Sequence, residues 1–188
     1  MTIKETQTFT TATSTDFSTQ VNALASSGVK VVFIPIYAEE ASTFLTQAKG
    51  KFAEDVYFFG GDGLDGILGK VSQDATIADN VLMMTPFAAD STDPKVQAFV
   101  KAYEEAYGAT PDQFAADAYD GVHAVAEAVK EAGLGVDADP TEVAEKLSKA
   151  MLKITVDGLT GKLTWNDKGQ VQKEPTAYVI TDGKYVQA

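Results

Sequence analysis

Between Tyr57 and Gly66 the chain reads YFFGGDGLDG. Gly61, Gly63 and Gly66 carry the spacing G-x-G-x-x-G directly after a run with the character of a strand. In a dinucleotide-binding turn such glycines bring the backbone against a pyrophosphate at a helix N-terminus. Here the positions between them hold Asp62 and Asp65. Like charges about 4 Å apart repel by ~1 kcal/mol in water and ~4 kcal/mol near a protein surface, so a phosphate is disfavoured. The plainest alternative is a Gly-rich strand-to-helix turn in which Asp62 or Asp65 merely caps the helix, a role that suits Asp65. A sharper one puts Asp62 at the carboxyl end of a parallel strand, where ligands of such sheets bind, so that its carboxylate selects a cation such as an ammonium group. Tyr37, just after VVFIPI, lies at a second strand end. An aromatic face beside a carboxylate suits a small cation.

Other chemistry is sparse. His123 is the one histidine and falls mid-helix in DGVHAVAE, where a surface or packing role is expected. No nucleophile elbow, phosphate loop or histidine-based metal spacing is present. Asp62 and Asp65 could in principle form an acid–base pair, but no partner for them is evident. We therefore expect no catalytic residue, no metal site, no cofactor and no enzymatic activity. Cysteine is absent, which removes thiol catalysis, disulfides and cysteine metal sites. A net charge of −12 argues against nucleic acid, whose phosphates need clustered Lys and Arg.

These residues need elements to hold them. The 188 residues are 45% hydrophobic, enough for one large domain or two small lobes. IKETQTFT reads as a polar edge strand. Phe17, Val21, Leu24 and Ala25 repeat at helical spacing, with Ser14 or Thr15 as the expected cap and Gly28 as the stop. VKVVFIPI is a continuous apolar run, predicting a strand buried on both faces. EEASTFLTQAKG is a helix, DVYFFGG a strand, Leu64 to Lys70 a short helix and NVLMMTPF a strand. This order predicts an α/β fold, a parallel β-sheet flanked by helices. After Pro86 three helices follow, the first and third opened by Asp-Pro. GKLTWNDKGQV and TAYVITDGKYV read as hairpins turning at NDKG and DG. The MTIKETQTFT start lacks the apolar run of a signal peptide, and no stretch approaches the ~20 apolar residues that span a bilayer.

Taken in order, DFSTQVNAL, VKVVFIPIYAEEASTFLTQAKG, VYFFGGDGL, VLMMTPF, TPDQFAADAYDGVHAVAEAVKEAG and LTGKLTWNDKGQV resemble the type I periplasmic binding proteins, in particular the branched-chain amino-acid-binding proteins of ABC transporters. The resemblance covers nearly the whole chain. It implies a flavodoxin- or Rossmann-like lobe of a two-lobed clamp that closes on a small ligand, and a chain that lacks a whole first lobe. Residues 1–86 would be lobe two without its first strand and helix, 87–171 a helical return segment of lobe one with a hairpin, and 172–188 the closing strands of lobe two. By the same resemblance Asp62 binds the ligand's α-ammonium group, Tyr37 packs on the bound amino acid and Phe114 lines the lobe-one side. The Ser and Thr residues that grip the α-carboxylate have no counterpart here, and PI precedes Tyr37 where relatives often carry GG. The implied partners are a free amino acid or similar zwitterion and an ABC permease. The implied location is periplasmic, or extracellular as a lipoprotein. A ligand-sensing domain of a receptor or regulator is the alternative function. Missing elements would also leave an exposed sheet edge and favour self-association.

Overall fold

The computed structural model describes residues 2–71, 73–174 and 176–188. The chain forms two compact units, residues 1–85 with 176–188, and residues 86–175.

The first unit is built on a five-stranded mixed sheet in the order β1-β2-β3-β7-β8. Strands β1 (Val31–Phe33), β2 (Tyr57–Gly60) and β3 (Val81–Met84) run parallel. The hairpin β7 (Ala177–Thr181) and β8 (Lys184–Gln187) joins them antiparallel to β3. Its turn places Asp182 and Gly183 at φ 52° and 68°, the primed geometry that the DG dipeptide favours. Helices α1 (Ser18–Ser26) and α2 (Ala38–Ala48) and the single turn α3 (Ile67–Lys70) supply the other layer. Val21, Ala41, Phe44, Leu45, Ile67 and Val71 from the helices meet Val32, Phe58, Val81, Met83 and Ile180 from the sheet in one core. Gly28 and Gly50, at φ 63° and 72°, lie just past the ends of α1 and α2 in the left-handed conformation that stops a helix.

Three expectations need correction. The segment IKETQTFT forms no strand. It is held against α1 instead, with Phe9 edge-on to buried Phe17 at 5.1 Å and the Thr8 carbonyl accepting from Gln20 at 2.9 Å. The run VVFIPI is not buried on both faces. β1 is an edge strand whose Val31 and Phe33 are 51% and 62% exposed, and Pro35, which has no N–H to donate, follows closely. The start of α1 is not capped by Ser14 or Thr15. Asp16 accepts from the Ser18 amide at 2.9 Å, and the buried Phe17 amide is satisfied by Gln47 Oε1 at 2.7 Å.

The second unit holds α4 (Pro94–Tyr107), α5 (Gln113–Ala132), α6 (Pro140–Met151) and the strands β4 (Val156–Gly158), β5 (Gly161–Trp165) and β6 (Val171–Gln172), joined in that order as one antiparallel sheet. Asp93, Asp112 and Asp139 cap the three helices through hydrogen bonds from Lys95, Ala115 and Thr141 amides at 2.7, 3.0 and 2.9 Å. Strand β4 had no separate sequence signal. It is fixed by Asp120 on α5, a buried carboxylate that accepts from Leu159 N at 2.8 Å, Thr160 N at 2.9 Å and Thr160 Oγ1 at 2.8 Å. Position 158 must be glycine, since a Cβ there would stand 2.3 Å from Asp120 Oδ2.

Surface ion pairs tie elements of the first unit at their ends. Lys30 pairs with Asp55, and Lys49 with Asp74, which also accepts from Thr76. Hydrogen bonds from these lysines hold the Asp55 and Asp74 carboxyls below the usual range, and Ser18 does the same for Asp16. A carboxylate whose pKa is lower in the folded state than in the unfolded state adds stability above the unfolded value. That stability disappears as pH falls through the folded value. Acid should therefore lower the melting temperature only below about pH 4. Asp74→Asn should flatten part of that fall, as differential scanning calorimetry would show. An unchanged acid limb in that variant would refute the assignment.

Candidate functional site

The loop from Gly60 to Gly66 leaves the carboxyl end of β2 as a single 3-10 turn, Asp62–Leu64, followed by α3. The expected helix over Leu64–Lys70 is thus two short pieces. Two close approaches explain the local sequence. Leu64 is fully buried and lies over Gly60, where a Cβ would come within 2.2 Å of Leu64 Cδ1 and 3.1 Å of the Ile34 carbonyl oxygen. A Cβ at Gly63 would stand 2.8 Å from the Ile36 carbonyl oxygen and 3.4 Å from Tyr37 Cδ1. The glycines let the β2 loop press on the segment that follows β1, and so bring the Asp62 turn beside Tyr37.

Tyr37 occupies the N-cap position of α2 with extended backbone, and its side chain is 67% exposed. Asp62 is exposed at the start of its turn. A carboxylate and an accessible aromatic ring therefore sit on neighbouring loops at the carboxyl ends of β1 and β2. Asp65 does not cap α3. Its N-cap is Gly66, at φ 80°, a conformation open to glycine at little cost. A four-residue helix entered in this way offers a pyrophosphate no extended N-terminus. Lys70 at its far end pairs with Glu39 of α2 at 2.7 Å, and that carboxylate pushes the Lys70 pKa up.

Phe114 lies in the other unit, in the first turn of α5 and 44% exposed. His123, further along α5, is exposed and stacks on Tyr119 with ring centroids 4.4 Å apart. A depression of about 460 Å³ on the α2–α3 surface, lined by Thr46, Gln47, Lys70 and Asp74 among others, includes neither Tyr37 nor Asp62. Sequence reasoning missed Asp120, because a mid-helix Asp among alanines reads as a solvated position. The nearest signal was the turn-like DGLTG at 157–161 that it holds.

A sheet with parallel strands, helices on one face and a carboxylate beside an aromatic ring at the strand ends fits many α/β proteins. The family model for periplasmic binding proteins matches residues 2–184. The chain belongs to that family. It is 30% identical over 178 residues to Leu/Ile/Val-binding protein homolog 1 of Brucella abortus, covering 90% of this chain and 44% of that protein. The branched-chain amino acid transporter substrate binding protein LivJ of Streptococcus pneumoniae, solved with isoleucine, superposes with a TM-score of 0.73 at 29% identity, covering 93% of this chain and 49% of that one. A solute binding protein of Rhodopseudomonas palustris, solved with benzoate, has a TM-score of 0.76 at 20% identity over 92% of this chain and 46% of that one, which shows the shared fold. The chain thus spans about half the length of the relatives it matches. No described helix is long and apolar enough to cross a membrane.

Proposed function

We propose that this chain forms part of an amino-acid-binding clamp of an ABC importer, with the unit of residues 1–85 and 176–188 as lobe two and residues 86–175 belonging to lobe one. Asp62 receives the ligand's α-ammonium group and the face of Tyr37 covers its aliphatic part. Phe114 serves the lobe-one side. The protein works outside the cytoplasm, delivering its ligand to a permease without chemical change. The supporting observation is the glycine-mediated approach of the Asp62 turn to Tyr37 at adjacent strand ends. The names of the Brucella and Streptococcus relatives favour a branched-chain amino acid and transport over sensing.

This half of a clamp provides an ammonium site and an aromatic face. One exposed ion pair contributes only ~0–1 kcal/mol, whereas a millimolar complex already needs about 4 kcal/mol. Isoleucine should therefore bind this chain with a Kd of about 1 mM or weaker. In an amide NMR titration the shifts should concentrate at residues 36–38 and 61–64, and Asp62→Ala should abolish them. Shifts elsewhere, or shifts that survive Asp62→Ala, would reject the site. A micromolar Kd would reject the half-clamp reading.

A further inference from the structure

We propose that Pro35 is a positioning residue, which seats the Asp62 turn from the neighbouring strand end. The inference rests on the reading of Tyr37 and Asp62 as the ligand-binding pair, and adds the part that sets one against the other. Just past β1 the Ile34 amide donates to the Phe59 carbonyl at 2.8 Å, and the Ile34 carbonyl accepts from the Ile36 amide at 2.9 Å. A bond from residue i+2 back to residue i closes a γ-turn, and Pro35 is its central residue. The common inverse form needs φ near about −75°. The proline ring supplies about −65° without tertiary help, and proline has no N–H to leave unpaired there.

The flanking side chains fix which way the turn faces. Ile34 is buried in the core of the first unit and Ile36 packs against the same core, whereas Pro35 and Tyr37 are exposed. The two carbonyls of the turn meet the two glycines of the β2 loop. The Ile34 oxygen stands 3.1 Å from where a Cβ of Gly60 would be, and the Ile36 oxygen 2.8 Å from where a Cβ of Gly63 would be. Asp62 lies between these two contacts in sequence. The closed turn is thus a stop with two oxygens, on which the backbone around Asp62 rests. The Ile36 carbonyl cannot swing away without opening the γ-turn or lifting a packed side chain.

This arrangement predicts an energetic coupling between two residues that are 28 positions apart in sequence. Gly63 is not one of the glycines with positive φ, so an alanine there is opposed by the Ile36 carbonyl and not by its own backbone. If Pro35 holds that carbonyl in place, the penalty of Gly63→Ala must shrink once position 35 is free to move. Residues joined through one shared backbone shift give non-additive effects, and independent ones do not. Pro35→Gly also loosens the unfolded chain, but that effect is the same with and without the alanine and cancels in the comparison.

Amide hydrogen exchange on the whole chain tests this, read at Leu64 and Asp65, whose N–H groups donate to the Gly61 and Asp62 carbonyls at 3.2 and 3.0 Å. Gly63→Ala should speed their exchange about tenfold or more when Pro35 is present, and less than about threefold alongside Pro35→Gly. Gly61→Ala, at φ −93° and with nothing within 4 Å of the added Cβ, should act equally weakly in both backgrounds. The Phe58 amide, bonded to the Asn80 carbonyl at 3.0 Å, reports that the sheet stays folded in every variant. An equal acceleration by Gly63→Ala in both backgrounds overturns the proposal. Isoleucine titration then separates it from the reading beneath it. Pro35→Gly should raise the Kd at least about threefold, as a coupled contact would, and an unchanged Kd would refute the positioning role. Absence of shifts at 36–38 and 61–64 in the unaltered chain would reject the ligand site, while the exchange comparison would still decide the coupling.

Discussion

Replacing Asp120 with alanine should lower the stability of the unit formed by residues 86–175 by about 3–4 kcal/mol. The carboxylate is 2% exposed and accepts three hydrogen bonds from Leu159 and Thr160. Hydrogen bonds to a charged group contribute about 1.5–3 kcal/mol, and each buried N–H left without a partner costs about 1–3 kcal/mol. The sum falls short of simple addition because the β4–β5 turn can relax toward water. Trp165 is the only tryptophan, lies on β5 and packs by the Val156–Leu163 cluster, so its fluorescence reports this unit. A urea midpoint lower by roughly 1–4 M is expected, given slopes of about 1–3 kcal/mol/M. Asp120→Asn keeps one acceptor but turns an NH₂ group toward donors, and should recover only part of the loss. A midpoint shift below about 0.5 M for the alanine variant would show that the carboxylate is not the anchor of this turn.

The second large effect belongs to the other unit. Leu64→Ala should cost about 2–5 kcal/mol, the range for a fully buried leucine whose surroundings cannot close over the gap. Leu64 is 0% exposed and lies over the α-carbon of Gly60, so its loss removes the weight that seats the Asp62 turn on the strand ends. Hydrogen exchange of residues 57–66 should accelerate strongly. The Trp165 signal should move little, because Leu64 belongs to the core of the first unit and Trp165 packs on a separate cluster in the second. A loss under about 1 kcal/mol would mean that the turn is held by its backbone alone.

Much of the fold was legible in the residues. Asp-Pro before α4 and α6, glycine after α1, α2, α4 and α5, and the DG and NDKG turns each correspond to a local backbone preference that needs no tertiary context. The misreadings arose where context decides. VVFIPI has the composition of a doubly buried strand, but composition does not reveal whether anything covers the second face. IKETQTFT has strand propensity without a neighbouring strand to receive its hydrogen bonds. Asp120 owes its burial to a turn 39 residues away, a separation that no local pattern encodes. At the candidate site only Gly63 of the three spaced glycines meets a close approach, since a Cβ at Gly61 or Gly66 would meet nothing within 4 Å. The approaching group, however, is the Ile36 carbonyl and the Tyr37 ring rather than a phosphate.

The closing hairpin has a consequence for synthesis. Ile180 completes the core beside Val81 and Met83, its carbonyl accepts from Asn80, and Gly183 N donates to Asp79 across 104 residues of sequence. At ribosomal rates of about 5–20 residues per second, the strand that finishes this sheet emerges some 5–20 s after β3. During that interval β3, with its apolar run VLMM, is a nascent sheet edge that β2 can pair on one side while the side that β7 takes stays open. The unit encoded in between can fold on its own schedule, while the one that starts first must finish last. Chaperone dependence and proteolytic sensitivity in the cell should therefore concentrate on the first 85 residues.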